Sequence, residues 1–182
     1  MRVRMNAQVL AMVHSITGGL FFTMCFNFVI QTHRKATSSR ERDTRTPVWG
    51  VGLALLLPVA VLGQYVLGGF FRHLGTMLYE HLAGAIGVFL IASAVIIIGR
   101  RSTIAAIRRR SLWLAAALVI QISLGVGAWI TKMGLPSTGR VVVANSPAQN
   151  IICSLHTIGG MFLLATATAM AARAFETLCS PA

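Results

Sequence analysis

Apolar residues fill long, nearly uninterrupted blocks of this chain and do not recur every three or four positions as they would on an amphipathic helix. A helix needs about 20 mainly apolar residues to cross the hydrocarbon of a bilayer. The blocks that reach this length lie at about residues 8–31, 49–71, 80–99, 111–133 and 150–172. The pattern therefore predicts an all-α integral membrane protein, a bundle of five transmembrane helices that forms a single membrane domain over residues 1–182.

The composition agrees with this pattern, since 55% of the residues are hydrophobic and only 11% are charged. The net charge of +12 would suit a nucleic-acid partner, but the basic residues concentrate in the predicted first and third loops. Those residues are Arg34, Lys35, Arg40, Arg42, Arg45, Arg100, Arg101, Arg108, Arg109 and Arg110. The positive-inside rule then places the N-terminus outside a cell (inner) membrane and the C-terminus in the cytoplasm. Anionic lipid headgroups, and no nucleic acid, are the partners that this charge predicts.

One short phrase occurs near both ends of the chain, as VHSITGGLFFT at residues 13–23 and LHTIGGMFLLAT at residues 155–166. A looser version, EHLAGAIGVFLIASA, begins at Glu80. Each version places one histidine near the start of a predicted helix, with small residues on its face three and four positions later. The even-numbered helices carry another phrase, QYVLGG from Gln64 and QISLGVG from Gln121. The chain thus consists of one histidine helix followed by two glutamine–histidine pairs, an internal repeat whose first member is missing.

The three histidines of these phrases are predicted in one layer: at a rise of about 1.5 Å per residue, His14 and His156 lie roughly 9–10 Å below the outer surface and His81 a little shallower. Histidines that face the bundle interior opposite Gly68 and Gly125 offer axial nitrogens and a flat space, as a porphyrin requires. The alternative is packing, because small residues also let membrane helices approach and a histidine among them can bond across the interface. Intramembrane ionisable groups are costly and usually functional, so the set favours haem. Zinc is less favoured, because it would need three or four protein ligands and the predicted outer layer offers no convincing cluster of that size.

In order and orientation, these elements resemble the haem A synthase family. Modules of four helices in that family carry Gln-x-x-Leu-Gly phrases on helices one and three and a haem-ligating histidine on helices two and four. Here QYVLGGFFRHLG and QISLGVGAWITKMG resemble the former, and YEHLAGAIG and SLHTIGGMFLLAT the latter, over about residues 55–172. The resemblance implies a b-type haem held between His81 and His156. Most members have two modules and often a cysteine pair in the first outer loop, whereas this chain has one module, a leading helix and the loop RHLGTMLYE.

Other residues are expected to surround this haem, either by making room for its ring, by forming hydrogen bonds or by placing positive charge near its propionates. The glycines expected to make room for the ring are Gly68, Gly84, Gly125 and Gly160. Gln64 and Gln121 are expected to form hydrogen bonds within the core. Arg72, with Lys132 and Arg140, lies on the side where haem propionates would emerge, and the alternative for each of them is a solvated loop charge.

Two residues have open alternatives. The resemblance implies that Glu80, next to His81, assists the oxidation of a haem methyl group, whereas a carboxylate at a helix start also compensates the helix dipole. His14 lies outside the four-helix module. It is either a remnant that only packs or the ligand of a second haem, with its partner from outer-loop His73 or from a neighbouring chain.

Three functions are consistent with these expectations. The first is a haem A synthase-like oxidoreductase that oxidises a haem substrate at the outer leaflet while a second haem relays electrons. The second is a non-enzymatic haem carrier or anchor subunit of a respiratory or photosynthetic complex, which the single module and the missing cysteine pair favour. The third is a structural or assembly subunit without a cofactor. Membrane lipid, further copies of the chain or subunits of a larger membrane complex are the expected partners.

Overall fold

The computed structural model describes residues 2–32, 47–134 and 142–178. The helices are α1 (Arg2–Thr32), α2 (Val48–Leu74), α3 (Leu78–Arg100), α4 (Ala105–Met133) and α5 (Pro147–Leu178). Each is long and apolar enough to cross a bilayer, and each predicted span lies within one helix. No strand occurs in these three ranges. The chain is therefore an all-α, multi-pass membrane protein, which confirms the fold class that the apolar blocks predict.

All five helices extend beyond their apolar blocks, and α2 and α4 show what the added turns contain. The helix α2 continues to Leu74, so His73, expected in the outer loop, lies in its last turn. The helix α4 begins at Ala105, and the guanidinium of Arg108 donates to the carbonyls of Ser102 and Thr103 just before it. Hydropathy marks the lipid-facing part of a helix, whereas polar side chains support the turns beyond it. The five basic residues of the first loop and Arg140 lie outside the described ranges.

The helices α2, α3, α4 and α5 form a closed ring, because each packs against the next and α5 packs against α2. Among the described helices, α1 contacts α2 and α5 and neither of the other two, so it lies in the groove between α2 and α5, outside the ring. Large apolar side chains are exposed on the outer faces of the helices, where lipid is the solvent. The observed ring comprises the same four helices that the repeat groups together.

We call the end where α2 finishes and α3 begins the histidine end, and the end where α3 finishes and α4 begins the arginine end. Towards the arginine end the packing is close. A Cβ atom at Gly99 of α3 would overlap the hydroxyl oxygen of Ser111 in α4 and lie 2.7 Å from Cε of Met170 in α5. The side chain of Asn27 joins α1 to α5 by donating to the carbonyl of Ala165 at 3.2 Å.

A candidate histidine site at one end of the bundle

The structure brings His81 and His156 together inside the ring of four helices. His81 lies in the first turn of α3 and His156 in the third turn of α5, and both side chains are half-buried. Their ring centroids are 6.4 Å apart, and the ring planes are nearly perpendicular, at 87°. The two histidines that the sequence pairs thus face each other at the histidine end.

Each of these rings lies against a glycine of the preceding helix. A Cβ atom at Gly68 of α2 would be 3.1 Å from Cε1 of His81. A Cβ atom at Gly125 of α4 would be 3.1 Å from Cε1 of His156. Contacts this short require the neighbouring atom to move, so a glycine at both positions lets the imidazole ring lie directly on the helix backbone.

Each glutamine lies, in turn, against a glycine of the following helix. A Cβ atom at Gly84 would overlap Oε1 of Gln64, and one at Gly159 would overlap Oε1 of Gln121. Both glycines stand three residues after a histidine. The two glutamine–histidine pairs therefore share the same glycine contacts, so the repeat seen in the sequence is also present in these contacts.

Side-chain hydrogen bonds join Gln64 and His81, the first of the two pairs. Nε2 of Gln64 lies 2.9 Å from Nδ1 of His81 and donates to the His81 carbonyl at 2.7 Å. This contact engages Nδ1 and leaves Nε2 as the ring nitrogen for a ligand. Nδ1 of His156 and Oε1 of both Gln64 and Gln121 are buried without a hydrogen-bond partner among the described residues. Orphaned polar atoms of this kind are rare in a native interior and mark a site that needs explanation.

A cavity of about 420 Å³ adjoins both histidines, a size within the range of ligand pockets. Its wall is mainly apolar and includes residues from all five helices. Gln64 and Gln121 contribute to the lining, as do the predicted glycines Gly68, Gly125 and Gly160. The fourth predicted glycine, Gly84, does not line the cavity and lies instead against the side chain of Gln64.

Two cationic side chains lie at the mouth of this cavity. Arg72 donates to the carbonyl of Cys153 at 3.0 Å and to the hydroxyls of Thr157 at 2.6 Å and Ser154 at 3.3 Å, next to His156. The ammonium of Lys132 lies 4.0 Å from the centroid of the Phe71 ring. No carboxylate is among the described residues that line the cavity. The mouth is therefore positively charged, as an anionic ligand would require.

Two predicted site residues lie away from the cavity. Glu80, the candidate catalytic residue, is exposed in the first turn of α3 and does not line it. His14 is exposed on the outside of α1, so it faces lipid or another chain in this structure. When Gly18–Gly19 is aligned with Gly159–Gly160, His14 matches the exposed Leu155, and it is Ser15, a cavity-lining residue, that matches His156.

Tyr65 is the residue of this site that the sequence analysis missed. Its ring lies between two glycines, since Cβ atoms at Gly19 of α1 and Gly160 of α5 would be 3.2 Å and 3.1 Å from it. Its hydroxyl donates to the carbonyl of Ser15 at 3.3 Å, and its side chain lines the cavity. One glycine of each repeated phrase, Gly19 near the start of the chain and Gly160 near its end, therefore contacts Tyr65. The available signal was a polar aromatic residue directly after Gln64.

No family model matches this chain, and no curated protein or solved structure is significantly similar to it. The resemblance to the haem A synthase family stays a prediction that depends on the quoted phrases. What the structure itself defines is a membrane bundle with paired histidines beside an apolar cavity.

Proposed function

We propose that this chain binds one b-type haem between His81 and His156 and transfers electrons within a membrane. The separation of the two rings carries the proposal. A metal bound in line by two imidazole nitrogens, at about 2.0–2.1 Å each and with each ring centre about 1.1 Å further out, places the ring centres about 6.2–6.4 Å apart. The observed centroid separation is 6.4 Å.

The donor set also fits haem better than a free metal ion. The described residues contain no group of three or more His, Cys, Asp or Glu side chains placed to hold an ion. A structural zinc site needs four ligands, whereas a porphyrin supplies four equatorial nitrogens and leaves two axial positions for histidine. Arg72 and Lys132 at the cavity mouth suit the carboxylates of such a ligand.

Electron transfer is the function that this geometry supports best. A haem held by both His81 and His156 would supply a one-electron redox couple, and the two histidines would leave its iron no site for a substrate. In this proposal, the packing against Gly68 and Gly125 holds the two rings in place. Haem oxidation of the haem A synthase type is the second candidate, supported by the resemblance and requiring a separate substrate site.

The charge distribution supports an orientation for this protein in a cell membrane. The arginine end carries Arg100, Arg101 and Arg108 among its basic residues, whereas Arg72 and Lys132 lie at the histidine end. Basic residues flanking membrane spans favour the cytoplasmic side. We therefore propose that the histidine end faces outwards and that haem binds near the outer surface. Further copies or other subunits of a membrane complex are proposed partners.

The first prediction is spectroscopic. Protein expressed with haem available should contain about one haem per chain and show the sharp α-band of a low-spin, bis-histidine haem in a reduced-minus-oxidised spectrum. Because the rings are nearly perpendicular, the ferric haem should give a strongly anisotropic EPR signal with one large g value. His81→Ala and His156→Ala should each remove this signal, whereas His14→Ala should leave it intact.

The same measurements decide between the alternatives. A colourless wild-type protein would leave the cofactor-free structural or assembly role. A fall from about two haems per chain to one in His14→Ala would show a second site, and a fall from one to none would show that the axial pair is wrong. Mass analysis of extracted haem separates the carrier from the enzyme, because an enzyme of the resembled family should contain or produce haem O-derived species.

A further inference from the structure

The helices α3 and α4 pack together towards the arginine end, whereas towards the histidine end both line the cavity. Their short connection, residues 101–104, lies at the arginine end, where Gly99 allows Ser111 to approach. The cavity lies at the other end, and several of its lining residues on these two helices are also exposed, by 39% to 55% of their surface. They are Leu82, Phe89, Ile122, Val126, Trp129 and Met133. Residues that line a cavity and are also exposed lie at the edge of an opening.

The opposite wall of the cavity contains deeply buried residues. Val61 of α2 and Leu163 of α5 line it and are only 3% and 4% exposed. Val88 and Leu118, each 6% exposed, close the cavity on its arginine side. The opening between α3 and α4 therefore leads sideways out of the bundle.

The opening faces the hydrocarbon of the bilayer. On α3 its edge runs from Leu82 to Phe89, one to eight residues after His81, or about 12 Å of helix at about 1.5 Å per residue. On α4 its edge includes Ile122 and Val126. These edges are apolar and lie within spans long enough to cross the membrane. A molecule that passes between them comes from lipid.

We propose that the cavity takes up its ligand sideways from the bilayer, through the opening between α3 and α4. The ligand class is a flat, mainly apolar ring system with carboxylates on one edge. Those carboxylates stay at the mouth with Arg72 and Lys132, for which the lining offers no acidic partner. The apolar body lies between α3 and α4 and reaches the two histidines. The identity of the ligand as haem rests on the function proposed above.

The opening is tested by narrowing it at Ala85, an exposed cavity-lining residue of α3. Ala85→Trp is compared with Ile86→Trp, because Ile86 is the adjacent residue, is 63% exposed and does not line the cavity. On α4, Val126→Trp is compared with Val119→Trp, since Val119 is also 63% exposed and lies outside the lining. The α4 pair keeps the test decisive if Ala85→Trp does not fold.

The measurement is haem exchange in the loaded, full-length protein. Each variant is reconstituted in phospholipid vesicles, isotopically labelled haem is added to the bilayer, and its appearance in the repurified protein is followed by mass spectrometry. In Ala85→Trp and Val126→Trp, the haem that each variant contains should exchange at least tenfold more slowly than in the wild-type protein. The two control variants should exchange at the wild-type rate.

The outcomes are distinguishable. Normal haem content with wild-type exchange in both Ala85→Trp and Val126→Trp overturns the lateral route and leaves the proposed function intact. Equal slowing in the control variants also overturns the route, because the effect would then not depend on the opening. A wild-type protein that contains no haem overturns the proposed function and this inference with it.

Discussion

At the scale of single residues, one methyl group decides whether a histidine ring can occupy its place. Alanine at Gly68 would put Cβ 3.1 Å from Cε1 of His81, so the ring has to move by a few tenths of an ångström. We expect Gly68→Ala to weaken haem binding by about 1–3 kcal/mol, the usual cost of overpacking, and to change the EPR anisotropy as the ring turns. Haem titration and EPR of the ferric protein measure both effects.

The control for this substitution lies on the same helix. A Cβ atom at Gly63 would meet no other atom within 4 Å, and the residue is exposed. Gly63→Ala should therefore leave haem affinity and the EPR signal unchanged. If the two variants behaved alike, contact with the His81 ring would not be the reason for glycine at position 68.

The residue scale is also where prediction from the sequence has a physical limit. The histidine pair and the two glutamines could be predicted as site residues, because polar residues are rare in apolar spans. Positions three and four residues after a histidine share its face, so the sequence could not show that Gly159 meets Gln121 while Gly160 meets Tyr65. One residue corresponds to about 100° of helix, which separates the exposed His14 from the cavity-lining Ser15.

At the scale of helices, the close approach of α3 and α4 depends on Gly99. A Cβ atom there would overlap Oγ of Ser111, which itself donates to the carbonyl of Ile107 at 2.9 Å. Gly99→Ala should therefore destabilise the bundle by about 1–3 kcal/mol. The double variant Gly99→Ala/Ser111→Ala should recover part of that loss, because the nearest remaining Ser111 atom is Cβ, at 3.4 Å.

This pair forms a double-mutant cycle, measured by denaturant unfolding in detergent micelles. The Ser111→Ala variant alone supplies the fourth corner and accounts for the lost hydrogen bond to Ile107. Strictly additive effects would show that α3 and α4 do not meet through these two residues.

The existence of the helices was predictable, but their ends were not. The lengths of the apolar blocks predicted all five helices, because a segment that crosses lipid has to satisfy its backbone hydrogen bonds internally. The last turn of α2 and the first turn of α4 carry His73 and Arg108, whose polarity suggested loops. Polar residues at a membrane surface can still be helical, as Arg108 is. Its guanidinium donates to the carbonyls of Ser102 and Thr103, just before α4.

At the scale of the whole molecule, the repeat predicted which four helices belong together, whereas the sequence did not place α1. All outer faces are apolar in a membrane, so hydropathy cannot show which helix packs against which. The structure places α1 between α2 and α5, where Tyr65 and Asn27 connect it to the ring by hydrogen bonds. These contacts join residues 50 and 138 positions apart in the sequence and follow from no local pattern.

The orientation of the whole molecule decides which side of the membrane the histidine site serves. Basic side chains near an anionic leaflet contribute about 1 kcal/mol each, so Arg100, Arg101 and Arg108 together favour the arginine end in the cytoplasm. In a cysteine-free background, Thr76→Cys in the α2–α3 connection should react with a membrane-impermeant maleimide on intact cells. Thr103→Cys, in the α3–α4 connection, should react only after permeabilisation. The reverse labelling would show the opposite orientation in the membrane. The cationic mouth of the cavity would then open towards the cytoplasm, and any electron donor or acceptor would be expected on that side.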